Sequence, residues 1–267
     1  MVKALSKSCA GFILANPISF ALLRHMQRKG LIILCYHRVI KREEINSPIH
    51  KGMCVDLGSF QRQMLFVSRN YACVNEGQVI NALEGNGKLP DNPLWVTFDD
   101  GYKDNFTNAY PVLRKFNIPA TFFITTDYID KLQAENNLFM SWDEIRNLKN
   151  EGFSVGAHTK SHGILAELSS DKVIEEISES KERLERELGA SVVSFAYPKG
   201  KTRHCNLEFS ASVLKEKGFK LAVTTVGGIN TLSLTDKPFF LKRVGTSFDD
   251  PFIFFKARLL TGSFWQK

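Results

Sequence analysis

The sequence predicts an α/β protein built on a largely parallel sheet. Seven short apolar or β-branched runs recur along the 267-residue chain, and most are followed by a helical pattern. Most of the runs are continuously apolar rather than alternating, as expected of strands covered on both faces. Loops are short and neither an internal repeat nor a low-complexity linker interrupts the series.

The strand candidates are "LIILCY" (31–36), "LWVTF" (94–98), "ATFFIT" (120–125), "FSVGA" (153–157), "VVSFAY" (192–197), "LAVTT" (221–225) and "FFLKRV" (239–244). Between them, Ser59 is placed to cap a helix over 60–69, and Asp104 or Asn105 a segment reaching Phe116. Ser141 is placed to cap a stretch to Asn150, with Trp142 and Asp143 as its start. Ser170 precedes a long helix over 171–188 that ends at Gly189. That helix sets Val173, Ile177, Leu184 and Leu188 near one face, and its many charges read as a solvated outer surface. Asp249, Asp250 and Pro251 read as a turn.

An apolar content of 43% is ordinary for a globular protein and ample for a core. The formal charge of +7 suits an anionic surface or substrate. No Lys/Arg run with interleaved aromatics argues for nucleic acid. Cys9, Cys35, Cys54, Cys73 and Cys205 are odd in number and form no CxxC pair, so they read as free thiols in a reducing compartment.

Residues 1–29 read as an N-terminal helical extension packed on the domain, with a membrane-surface helix and a signal peptide as the other readings. Asn16 and Pro17 interrupt its apolar stretch, which is too short to span a bilayer. Residues 246–267 form an amphipathic C-terminal tail rich in Phe and Leu beside Lys256, Arg258 and Lys267. Two such ends on one basic chain point to peripheral membrane contact.

Polar residues gather where the runs end. His37 follows the first run, Asp99 and Asp100 the second, His158 the run at 153–157, and Lys199 the run at 192–197. In closed β/α barrels the chemistry sits at the C-terminal ends of the strands. The doublet Asp99–Asp100 reads either as a strand-end turn or as a pair of acids that hold something. In "GAHTKSH", two histidines four apart are able to meet one metal ion, from a helical turn or from a loop. Two neutral imidazoles plus one carboxylate form a facial triad open to water. An ion there lowers the pKa of water from about 15.7 to about 7. The doublet then divides its labour, one acid binding metal and the other acting as base, and the dication offsets their mutual repulsion.

"TFDDGYKDN" followed by "IPATFFI", then "HTKSH", resembles the polysaccharide deacetylases, the NodB-homology or carbohydrate esterase family 4 proteins. The resemblance covers roughly residues 31–245 and implies a distorted (β/α)7 barrel, placed here at 30–245. It implies metal-dependent hydrolysis of an acetyl group, usually the N-acetyl of an amino sugar. By motif, Asp99 is the catalytic base, and Asp100, His158 and His162 are the metal ligands.

Where relatives carry an Arg-Pro-Pro-Tyr-like run, this chain has "FAYPKG", with Ala196 in place of the arginine that orients the base. The resemblance makes the N–H of Lys199 the oxyanion donor, with Tyr197 beside it at the substrate or as packing. Arg243, which ends the last strand, is the candidate to replace the base-orienting arginine and is grouped with Lys199 and Tyr197 as an oxyanion or substrate residue. The family's C-terminal Leu-x-His is absent. "LCYHRV" instead resembles the first strand of the branch that modifies exported poly-N-acetylglucosamine, which makes His37 the general acid or a substrate contact. His204 and then His50 are the fallbacks.

The resulting expectation is a metal-dependent carbohydrate N-deacetylase releasing acetate from an amino sugar in a polysaccharide or lipid-linked glycan. The alternatives are an O-acetyl esterase on xylan or cell-wall sugar and a catalytically weak glycan-binding barrel. The expected cofactor is a divalent ion, Zn2+ first, with Co2+ or Ni2+ as alternatives. The expected site of action is the cytoplasm, peripheral at the inner membrane, with a periplasmic or secreted enzyme as the alternative.

Overall fold

The computed structural model of the chain describes residues 30–44, 53–132, 137–231, 237–246 and 251–262, together with Asn16. The rest of the extension expected at 1–29, Cys9, His50, and the Asp249 and Asp250 of the expected turn lie outside the described residues.

The chain opens on β1 (Gly30–Tyr36), and β2 (Arg38–Ile40) then pairs in parallel with β3 (Cys54–Asp56) apart from the main sheet. Helix α1 (Leu57–Asn70) is capped by Asp56, whose carboxylate accepts from the Ser59 N–H at 3.0 Å. Ser59, the expected cap, is therefore the residue capped: the aspartate three positions earlier reaches the free amides first. Next come β4 (Ala72–Cys73), α2 (Glu76–Leu83) and β5 (Pro93–Phe98). A π-helical turn (Asn105–Ala109) leads into α3 (Tyr110–Lys115) and β6 (Ala120–Ile124). A second π-helical turn (Tyr128–Leu132) precedes α4 (Trp142–Asn150), which Ser141 and Glu144 close with a reciprocal capping box. The chain continues through β7 (Ser154–Ala157), α5 (Ser170–Leu188), β8 (Ser194–Ala196), α6 (Thr202–Cys205), α7 (Leu207–Glu216) and β9 (Leu221–Val223). It ends with β10 (Asn230–Thr231), β11 (Val244–Gly245) and α8 (Phe252–Thr261). Ser169 rather than Ser170 is the N-cap of α5, and Gly189 ends that helix at φ 59°.

The main sheet runs β10-β1-β5-β6-β7-β8-β9, parallel throughout apart from β10. Its two edges are joined by the stretch expected as the strand 239–244. Leu241 bridges Val223 of β9, and Val244 and Gly245 pair with Leu34 and Cys35 of β1. One segment thus serves both edges and closes the sheet into a distorted (β/α)7 barrel.

Strand side chains alternate between two faces. Leu31, Ile33, Trp95, Phe123, Leu221, Val223 and Leu241 form one cluster inside the barrel, floored by Val79 and Leu83 of α2. Their neighbours Ile32, Leu34, Val96, Phe98, Phe122 and Ile124 pack outward under the helices. Carried one step further up the strands, the inward set becomes Cys35, Thr97 and Asp99, at the rim above an apolar plug.

Helix α8 docks on α1: Phe252 and Phe255 meet Phe66 at ring-centroid distances of 5.6 and 6.4 Å, and Phe255 and Leu259 are buried. The barrel therefore covers most of the apolar surface of this part of the tail. Among the described residues, no helix is long and apolar enough to cross a membrane, and Cys35, Cys54, Cys73 and Cys205 are free.

Candidate active site

Asp99 and Asp100 leave β5 in different directions. Asp99 continues the inward alternation, its N–H donating to the Tyr36 carbonyl of β1 at 2.9 Å. Asp100 then takes a left-handed conformation, φ 74°, and Gly101 follows at φ 84°. The glycine is required, because a Cβ there adds a 3.1 Å contact with Ile124 Cδ1 to an unfavourable φ. Thr159, His162 and Lys199 are also left-handed, at φ 62°, 64° and 56°. Such non-glycine strain, about 1–3 kcal/mol each, gathers where function over-determines the backbone.

Arg243 grips Asp99 with both arms, Nη1 to Oδ1 at 2.7 Å and Nη2 to Oδ2 at 2.6 Å. Its Nε donates to the Thr224 carbonyl at 2.8 Å and Nη1 also to Thr97 Oγ1 at 3.2 Å, so the fork is fixed before it meets the acid. Both side chains are essentially inaccessible. Arg243 therefore stands where a replacement for the base-orienting arginine missing at Ala196 was expected; buried and spent on the acid, it is not open to substrate and leaves the oxyanion and substrate set. Burial pushes the Asp99 carboxyl up, but the Arg243 guanidinium and His158 outweigh it and hold the group below the usual carboxylate range. Cys35 Sγ lies 3.6 Å from Asp99 Oδ2, and burial pushes that thiol well above its ordinary value. His37 Nε2 stands 3.9 Å from the same oxygen, its side chain about a quarter exposed.

Asp100, His158 and His162 converge. Asp100 Oδ1 lies 3.3 Å from His158 Nε2 and 3.3 Å from His162 Nε2. His158 Nδ1 sits 2.7 Å from the Ala196 carbonyl, which only accepts, so Nδ1 carries a proton and Nε2 is the nitrogen turned inward, a metal donor once unprotonated. Asp100 Oδ1 is buried with no hydrogen-bond partner among the described residues. Three acceptors facing one point call for a cation. Donor atoms about 2.0–2.1 Å from a tetrahedral ion stand about 3.3–3.4 Å apart, close to the separations found here. The residues therefore fit a divalent metal. The same demand for positive charge appears in the titration: burial opposes ionisation of Asp100 and His158, yet their mutual contact lowers the first and raises the second.

The loop bearing the two histidines is pinned from behind. The Ser161 N–H and hydroxyl donate to Glu176 at 2.9 and 2.5 Å, and the Lys160 N–H to the Glu176 carbonyl at 3.1 Å. Glu176 is a buried acid on α5, whose charges were expected to be solvated. It sits beside Ile177 in the stripe that contains Val173, Ser180 and Leu184, and an acid inside an apolar stripe was the available signal.

Other expected residues fall elsewhere. Tyr197 is fully buried against Phe195, its hydroxyl donating to the Phe239 carbonyl at 3.2 Å; it is core and cannot touch substrate. The left-handed turn at Lys199 and Gly200 follows Ala196, and the Lys199 N–H has no acceptor among the described residues. His204 accepts from Arg203 Nε at 3.1 Å through Nε2. Asp104 and Asn105 are not caps: Asp104 makes no capping bond, and both side chains instead hold the segment after β1.

A match to the polysaccharide deacetylase family covers residues 86–222, from the turn before β5 into β9. The chain belongs to the polysaccharide deacetylase family. This deacetylase chain is 26% identical over 211 residues to the poly-beta-1,6-N-acetyl-D-glucosamine N-deacetylase of Staphylococcus aureus, spanning 73% of the chain and 71% of that protein. IcaB from Ammonifex degensii superposes with a TM-score of 0.74 at 26% identity, covering 88% of the chain and 99% of that structure. The Streptococcus pyogenes deacetylase PplD, solved in complex with acetate, gives 0.71 at 25% identity over 84% and 94%.

Proposed function

We propose that this deacetylase removes the N-acetyl group from an amino sugar in a glycan polymer, releasing acetate and a free amine. The observation that carries the reading is the adjacency of an Arg-clamped carboxylate, Asp99, to a three-donor cluster, Asp100, His158 and His162. Similarity to the Staphylococcus aureus enzyme and to IcaB supports a poly-N-acetylglucosamine as the substrate class.

Asp100, His158 and His162 would hold the ion, and a mixed N/O donor set at near-tetrahedral spacing favours Zn2+. When bound, the ion supplies Lewis acidity to the acetyl carbonyl and lets water ionise near neutral pH. Asp99, ionised by its contact with Arg243, takes the proton of the attacking water. The Lys199 N–H is left free to donate to the oxygen on which charge develops. His37, on the open side of Asp99, gives a proton to the nitrogen as the C–N bond breaks.

Acetate release from an N-acetylglucosamine oligomer, with Zn2+ and then with a chelator, tests the proposal. Chelation should stop release and Zn2+ restore it; release that survives chelation would sink it. Faster acetate release from O-acetylated xylan would favour the esterase reading. His158→Ala and His162→Ala should each lower the metal retained after dialysis, read by elemental analysis. An unchanged metal content would remove those residues from the ligand set.

A further inference from the structure

We infer that Asp104, Asn105 and Asn108 are positioning residues for His37, a cradle that registers the proton donor against the base. Asn105 Nδ2 donates to the His37 carbonyl at 2.7 Å. Asp104 takes the Val39 N–H on Oδ1 at 2.7 Å and Arg38 Nε on Oδ2 at 2.8 Å. Asn108 Nδ2 donates to the Val39 carbonyl at 2.7 Å. Three side chains from one turn thus fix three consecutive residues, 37–39, which follow β1 where it leaves the main sheet.

Asn105 and Asn108 lie in the π-helical turn Asn105–Ala109, and Asp104 immediately precedes it. Such wide turns are uncommon and recur at functional sites. It starts a few residues after Asp99 and Asp100, so the base, the metal-binding acid and the grip on His37 belong to one short stretch of chain. Asn105 is fully buried, and its Oδ1 has no hydrogen-bond partner among the described residues. An orphaned buried acceptor is destabilising, because it has given up water for nothing. The side chain keeps that cost while its amide serves the His37 carbonyl, as expected where position outranks stability.

The inference rests on His37 acting as the general acid, and the test separates the two. An amine must be protonated to leave, whereas a nitrophenolate leaves as an anion. The kcat and KM of the metal-loaded full chain are measured on an N-acetylglucosamine oligomer and on 4-nitrophenyl acetate. Parent, His37→Ala, Asn105→Leu and Asn108→Ala are compared. Asn105→Leu keeps the branched outline, with bulkier methyls, and removes both the donor to His37 and the orphaned oxygen; Asn108→Ala, at a half-buried site, covers the case in which the first variant does not fold.

In His37→Ala and in the cradle variants, kcat for the amide should fall about 10- to 100-fold more than kcat for the aryl ester, with KM little changed. If His37→Ala is selective but the cradle variants lose both substrates equally, or lose neither, the cradle inference is overturned. If His37→Ala is itself unselective, the general-acid assignment fails and the cradle inference falls with it.

Discussion

Replacing Asp99 by Asn is expected to lower turnover about 10²- to 10⁴-fold, the usual worth of a positioned general base, while metal content stays at the parent level. The metal expectation follows from the separation of the two acids. Asp100 alone meets His158 and His162, whereas Asp99 is held on the inner side by Arg243. The substitution also has a structural effect. Two guanidinium arms at 2.7 and 2.6 Å need two acceptors, and an asparagine amide offers one acceptor and one donor. Rates should therefore be normalised to folded protein, with circular dichroism and metal analysis on the same sample. Retention of most of the activity would remove Asp99 from the role of base.

Replacing Arg243 by Met should destabilise the barrel by about 3–5 kcal/mol at pH 7, because it leaves a buried carboxylate without its counter-charge. The effect should depend on pH in a definite direction. In the parent, the folded Asp99 titrates below its unfolded value of about 3.9. Its stabilising contribution is complete above that value and disappears only as pH falls through the lower folded one. In the variant, burial acts without the guanidinium and raises the folded pKa. The penalty is then largest above that raised value and is relieved as the carboxyl takes up a proton. Urea denaturation at pH 7 and near pH 4 should show the gap between parent and variant narrowing on the acid side. A gap equal at both would assign Arg243 to packing alone.

The sheet was legible because its strands are continuous apolar runs, and β1, β5, β6, β7, β8 and β9 lie side by side in their order along the chain. Asp99, Asp100, His158 and His162 could be picked out as a set because each sits within a residue or two, or one short loop, of a strand end. What escaped was long-range. Asp104 and Asn105 carry good capping chemistry, and nothing local says that their side chains are claimed by residues 37–39, more than sixty positions earlier. Of the two readings of Tyr197, packing is the one the structure bears out: it follows an inward-facing Ala196 and so points outward into the core, as strand alternation requires. Helix α2 was missed because "EGQVINAL" is short, although Asn75 and Gln78 form a reciprocal capping box there. The segment 239–244 looked like one strand because its composition does not reveal that it divides its bonds between β9 and β1.

That divided segment has a consequence for how the protein is made. The stave that completes the barrel also delivers the guanidinium to Asp99, across 144 positions of sequence. A nascent chain that has not yet emerged past residue 245 has both an open sheet and an unaccompanied carboxylate at its rim. Closure of the sheet and pairing of the buried base with its counter-charge are therefore one event.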